Sequence, residues 1–109
     1  KSEHLNIAYE EFGLQSRAPE DILKELIRGP DTWLNACCAL TIGQNKLLNL
    51  KREVEQLLDN PDPICRETSA LALRIFGETP ENNPRLARLL KDPNAIVRKF
   101  ISQENNSSR

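Results

Sequence analysis

Apolar residues in this chain recur at spacings of three and four, and the runs they form are broken at regular intervals by proline. Ile22, Leu23, Leu26 and Ile27 make the first run, Leu47, Leu48, Leu50, Val54, Leu57 and Leu58 the second, and Leu86, Leu89 and Leu90 the third. Each run fits one face of a helix. Each ends at Pro30, Pro61 or Pro93, because proline disfavours helical geometry in the residue before it. A second, more apolar helix is predicted after each proline. In the clearest of these, Cys65, Ser69, Ala72, Leu73 and Phe76 form one stripe, and Ile64, Thr68, Leu71 and Ile75 form an adjacent one. Its counterpart carries Leu34, Cys38, Ala39 and Ile42 beside Trp33, Cys37 and Leu40. Paired stripes predict a helix covered on two sides. Ala39 and Ala70 predict close helix approach, and Gly43 and Gly77 predict helix ends.

The pattern is a repeat. Leu26-Ile27-Arg28-Gly29-Pro30-Asp31, Leu57-Leu58-Asp59-Asn60-Pro61-Asp62 and Leu89-Leu90-Lys91-Asp92-Pro93-Asn94 are one phrase written three times, 31 and then 32 positions apart. The correspondence continues downstream through Trp33, Ile64 and Ile96, then Leu34, Cys65 and Val97, then Asn35, Arg66 and Arg98. A helix pair with two apolar faces leaves leucines in water at roughly 1.5–3 kcal/mol per side chain unless neighbours stack on it. The prediction is therefore an all-α stack of about three helix pairs, in units 19–45, 46–78 and 84–103. Residues 1–18 precede it, with Leu5, Ala8, Tyr9 and Phe12 at helical spacing broken by Gly13, and are read as a short N-terminal helix that caps the open end or links to a neighbouring domain. Residues 104–109 have no apolar side chain and are expected to be a disordered tail.

Composition narrows the class of protein. At 109 residues, 39% hydrophobic and 28% charged, the chain fits one folded domain rather than a disordered one. No apolar run approaches the roughly 18 residues of a membrane span. Three cysteines, two of them the adjacent Cys37 and Cys38, predict free thiols in a reducing, cytoplasmic setting. The lack of methionine, with Lys at position 1, leads us to expect a piece of a larger protein. One histidine, His4, and no second Cys-x-x-Cys arm leave a zinc site without ligands, so neither metal nor cofactor is expected. Glu10–Glu11 and Glu53/Glu55 are close carboxylates that read as solvated helix faces. The four glycines are too scattered to form a phosphate loop. No catalytic residue is assigned.

The phrase Asn60-Pro61-Asp62-Pro63-Ile64-Cys65-Arg66, followed by Ser69-Ala70, Ala72-Leu73 and Gly77, resembles the HEAT-repeat family, with further copies around Pro30 and Pro93, over residues 19–103. The resemblance implies a short right-handed α-solenoid of HEAT-like helix pairs that binds other macromolecules. It also implies an inter-repeat ladder in which a turn acid of one repeat meets an arginine of the next, here Asp31 with Arg66 and Asp62 with Arg98. Segment 33–40 together with the second repeat further resembles HEAT segments of bacterial proteins that join a nucleotide-translocase-like membrane part to a cyclic-nucleotide-binding domain.

The function expected is non-enzymatic: a protein-interaction or interdomain coupling module, bound to a protein segment or a neighbouring domain of its parent chain. Asn35, Glu67, Arg74 and Lys99 lie off both apolar stripes of the second helices and are the predicted contact residues. Two rivals stand beside this reading. HEAT-like repeats resembling these occur in bilin lyases and their subunits. Residues 84–101 carry five basic side chains against Asp92 alone, a charge that suits an anionic partner such as nucleic acid. Scarce aromatics and a pI near 5.9 weigh against that last reading.

Overall fold

The structure, a computed structural model, describes residues 19–107. It is built from helices, with no strand among the described residues. α1 (Pro19–Ile27) and α2 (Thr32–Gln44) form the first pair. α3 (Lys51–Gln56), flanked by 3₁₀ turns at Leu48–Leu50 and Leu57–Asp59, pairs with α4 (Pro63–Ile75). α5 (Pro84–Ala87), continued by a 3₁₀ turn at Arg88–Lys91, pairs with α6 (Ala95–Ser107). The expected N-terminal helix, with His4 and Glu10–Glu11, lies outside the described residues. α6 runs through Ser107, so 104–107 continue a helix where a disordered tail was expected. The segment is polar, but it holds no proline or glycine to break the helix.

The corner of each pair has a common construction. Asn60 and Asp92, the residues before Pro61 and Pro93, are extended, at ψ 139° and 142°, as proline requires. The second helix then starts on a side-chain cap that satisfies otherwise orphaned N–H groups. Asp31 accepts from the Leu34 N–H at 3.1 Å, Asp62 from the Ile64 N–H at 3.0 Å, and Asn94 from the Ile96 and Val97 N–H groups at 2.8 and 3.2 Å.

The second helices carry the stack, and α2 against α4 is its most extensive pairing. Ala39, Ile42, Cys65, Ala70, Ala72 and Leu73 are buried along this seam, Val54 and Leu86 beneath it, and Val97 and Ile101 on α6. Gly43 does not end α2. The helix passes through it to Gln44, and a Cβ at Gly43 would lie 2.8 Å from both Cα and Cβ of Ala72. The glycine is therefore a contact point between the two helices. The true terminus is a Schellman turn, with Lys46 N–H donating to Gly43 O and Leu47 N–H to Ile42 O, and Lys46 in the left-handed region at φ 54°. α4 ends on the same pattern, but with Gly77 (φ 94°) in that position.

A candidate interaction groove along the second helices

Successive repeats place equivalent residues side by side, so a helix face becomes a surface running across the stack. Trp33, Ile64 and Ile96 start α2, α4 and α6 and stay exposed, Trp33 and Ile96 at 67% and Ile64 at 44%. Four residues on, Cys37, Thr68 and Phe100 repeat the alignment, and Leu40 and Leu71 extend it one turn further. Trp33, Leu40, Ile64, Leu71 and Phe100 line a groove of about 330 Å³ between α2 and α4. A neighbouring recess of about 360 Å³ is bounded by Glu67, Ile96, Lys99 and Phe100. The second apolar stripe of each helix, expected to be covered, is thus the wall of an open groove. The first stripe, through Cys65, Ser69 and Leu73, already supplies the buried seam. Apolar surface left in water in this register is the usual mark of a recognition site.

The four residues predicted to make contact divide. Glu67 lines both hollows, and Lys99 lines the recess. Arg74 lies half-buried near the far end of α4, away from the groove lining. Asn35 is buried. Its side-chain amide donates to Leu26 O at 2.9 Å and Gly29 O at 3.2 Å, tying α2 to the turn before it. Asn35 is therefore corrected from a contact residue to a structural one. Residues missed in the sequence, Trp33, Ile64 and Ile96, had one visible signal: an apolar position repeated three times beyond what one packed seam needs.

The predicted ladder is also corrected. Asp31 and Asp62 are spent on helix caps, and Arg66 pairs instead with Asp92 of the following repeat, Nε to Oδ2 at 2.7 Å and Nη2 to Oδ1 at 2.9 Å. Arg98 donates to the Asp92 carbonyl rather than to Asp62. Position 35, 66 or 98 in every repeat thus reaches the carbonyl six residues earlier, at Gly29, Asn60 or Asp92. Burial alone would raise the Asp92 pKa. The hydrogen bonds from Arg66 and the Asn94 N–H, with the charges of Arg66 and Arg98, outweigh it and hold the carboxyl below its ordinary value. The hydrogen bond to Asp92 in turn raises the pKa of Arg66.

Glu53 and Glu55 are not the solvated face expected of them. Glu53 is buried on α3, accepting from Arg28 Nη2 at 2.9 Å, with Lys24 Nζ at 4.0 Å. Glu55 accepts from Asn83 at 3.2 Å. The thiols differ from one another. Cys38 and Cys65 are buried and Cys37 is exposed in the groove. Burial, with Cys37 adding to it, pushes the Cys38 thiol up to about 11, and burial also raises Cys65, whose Sγ donates to Thr32 O at 3.3 Å. Among the described residues no group of three or more His, Cys, Asp or Glu side chains is arranged to hold a metal ion, and no helix is long and apolar enough to cross a membrane.

No curated protein and no solved structure matches the chain. The family model for HEAT repeats matches residues 19–103. With three proline-cornered helix pairs stacked through their second helices over that same span, the chain belongs to the HEAT-repeat family.

Proposed function

We propose that the chain is a non-enzymatic interaction module whose groove takes an amphipathic segment of a partner protein or of a neighbouring domain. The observation that carries this reading is the exposed alignment of Trp33, Ile64 and Ile96, one per repeat. Repeats of this family generally mediate protein–protein interaction. Apolar anchors entering the groove would gain about 1.5–3 kcal/mol for each large side chain fully covered. Glu67 and Lys99, of opposite sign, flank the apolar wall and set the direction in which a charged segment lies. Coupling of domains within a larger cytoplasmic protein is the setting we favour.

The nucleic-acid reading loses ground because three of the five basic side chains behind it are engaged. Arg85 and Arg88 share Asp59, at 2.6 and 3.4 Å, and Arg98 is turned onto its own corner. The lyase reading draws on no feature of the groove.

Trp33 is the one tryptophan of the chain and stands in the groove, so its emission reports occupancy directly. Peptides of 15–20 residues selected from a display library against the 109-residue chain should shift Trp33 emission to the blue. They should bind an Ile64→Asp/Ile96→Asp variant at least tenfold more weakly. Peptides that bind the variant equally well, or leave Trp33 unmoved, defeat the reading.

A further inference from the structure

Three positions that join a repeat to the one after it are left without a partner on the third repeat. In the first-helix layer Arg28 meets Glu53 of the second repeat at 2.9 Å, and Asp59 meets Arg85 of the third at 2.6 Å. Lys91 is the next member of the series Arg28, Asp59, Lys91; it is exposed and meets no acid among the described residues. At the corners, Arg66 uses Nη1 on its own turn and keeps Nε and Nη2 for Asp92 of the following repeat. Arg98 repeats only the first half of that arrangement. Its Nη1 donates to Asp92 O, and its Nε and Nη2 make no hydrogen bond among the described residues. Beside them Leu90 is 40% exposed, whereas its equivalents Ile27 and Leu58, which have a repeat after them, are each 3% exposed.

We propose that this side of the third repeat docks a helix pair of a partner protein, stacked as the third repeat is stacked on the second. The pair offers two carboxylates, one at its corner for Arg98 and one on its first helix for Lys91. Continuity with the Arg66–Asp92 junction selects a helix pair, because the same guanidinium fork stands one repeat further on with two nitrogens open. Charge selects the acids. Residues 84–101 carry five basic side chains against Asp92, and Arg66 already holds both oxygens of that carboxylate. The fork suits phosphate as well as carboxylate, but Leu90 next to Lys91 calls for apolar cover that a phosphate backbone does not give. A second copy stacked head to tail lacks the acids, since its first repeat presents Gly29 at the position of Asp92 and Ile22 at the position of Glu53 and Arg85.

Leu90, Lys91 and Arg98 line neither the groove nor its recess, so this surface and the groove stand or fall separately. The probe is a second copy of residues 76–107 inserted after Ser107 of the 109-residue chain. Ser107 ends α6 at the position where Ile75 ends α4, so the copy enters in register. The copy brings its own Asp92 to Arg98 and carries Arg85→Glu to meet Lys91. The added pair should unfold in one transition with the stack and raise Tm by about 5 °C or more. Lys91→Gln/Arg98→Asn, made outside the copy, should remove at least half of that gain. The same two changes should move Tm of the 109-residue chain by less than about 2 °C, because Asn35 shows that asparagine at this position still closes its own corner. An added pair that unfolds separately from the stack, or a gain that the two substitutions leave whole, overturns the proposal. So does a concentration-dependent dimer of the 109-residue chain that Leu90→Asp abolishes, which assigns the surface to a second copy.

Discussion

Arg66 and Asp92 form a two-pronged ion pair between the second and third repeats, Arg66 from the first turn of α4 and Asp92 from the corner before α6. Arg66 also donates to Asn60 O and Pro61 O through Nη1, at 2.8 and 2.9 Å. Asp92 accepts the Asn94 N–H at 2.8 Å, as Asn60 accepts that of Asp62. One guanidinium therefore closes its own corner and clamps the next. The pair is largely out of solvent, the geometry in which a fork-to-carboxylate bond is strongest.

Acid should loosen this clamp. The Asp92 pKa is lower folded than unfolded, so the folded state holds fewer protons there, and the stabilisation is fully present above the unfolded value of about 3.9. It is lost as pH falls below that and through the folded value. Asp92→Asn keeps an acceptor for the Asn94 N–H but removes the charge, and should cost on the order of 2–3 kcal/mol at pH 7. The gap between wild type and variant in urea unfolding should narrow steadily below pH 4. A gap that holds constant down to pH 2.5 would show that the carboxylate is not the source.

Several features are legible in the sequence because they follow from local chemistry. Pro30, Pro61 and Pro93 dictate where each first helix stops, and the correspondence of Leu34, Cys65 and Val97 marks the second helices as copies of one another. Which of two apolar stripes stays open is not legible. Periodicity marks apolar positions but not how many neighbours arrive to cover them, so Ile64 and Leu73 look alike. The expected ladder fails for a related reason. A carboxylate at a helix start is claimed first by the N–H groups beside it, as at Asp31 and Asp62, which leaves the arginine to an acid two positions earlier in the phrase. Gly43 reads as a terminus because glycine has two uses, and only the distance to Ala72 tells close approach from a left-handed turn.

Gly43→Ala pits two effects against each other. Alanine improves helix propensity by about 1 kcal/mol. The added methyl meets backbone as well as side chain of Ala72 at 2.8 Å, so α2 and α4 must separate along the main seam of the stack. Overpacking of this kind costs about 1–3 kcal/mol and should win. Urea unfolding should show a net loss of about 1 kcal/mol or more, partly recovered in Gly43→Ala/Ala72→Gly. Stabilisation by the single change would mean that the close approach is absent.

Lys46→Gly should work in the opposite direction. Lys46 is exposed and held at φ 54°, where a residue with a Cβ is strained by about 1–2 kcal/mol. Glycine removes that strain at the cost of a more flexible unfolded chain, for a net gain of about 0.5–1 kcal/mol. The equivalent turn after α4 already uses glycine, so Gly77→Lys should lose a comparable amount. Thermal unfolding of the two variants would show Tm moving in opposite directions.

The first-helix layer carries a charge pattern that can be inverted. Arg28 pairs with Glu53 across the first junction at 2.9 Å, and Asp59 pairs with Arg85 across the second at 2.6 Å. Arg28 and Asp59 are equivalent positions, as are Glu53 and Arg85, so successive junctions use one geometry with opposite polarity. Arg28→Glu alone sets a second carboxylate against the buried Glu53 and should destabilise by about 1–2 kcal/mol, a figure tempered by the exposure of position 28. Glu53→Arg alone should do at least as much harm by burying a cation beside Arg28 and Lys24. The swap Arg28→Glu/Glu53→Arg recreates at the first junction the arrangement the second already has, and should recover more than half of the summed losses in a double-mutant cycle. Additive losses would show that the pairing at this layer is incidental, and that the register of the stack rests on the apolar seam and the Arg66–Asp92 clamp alone.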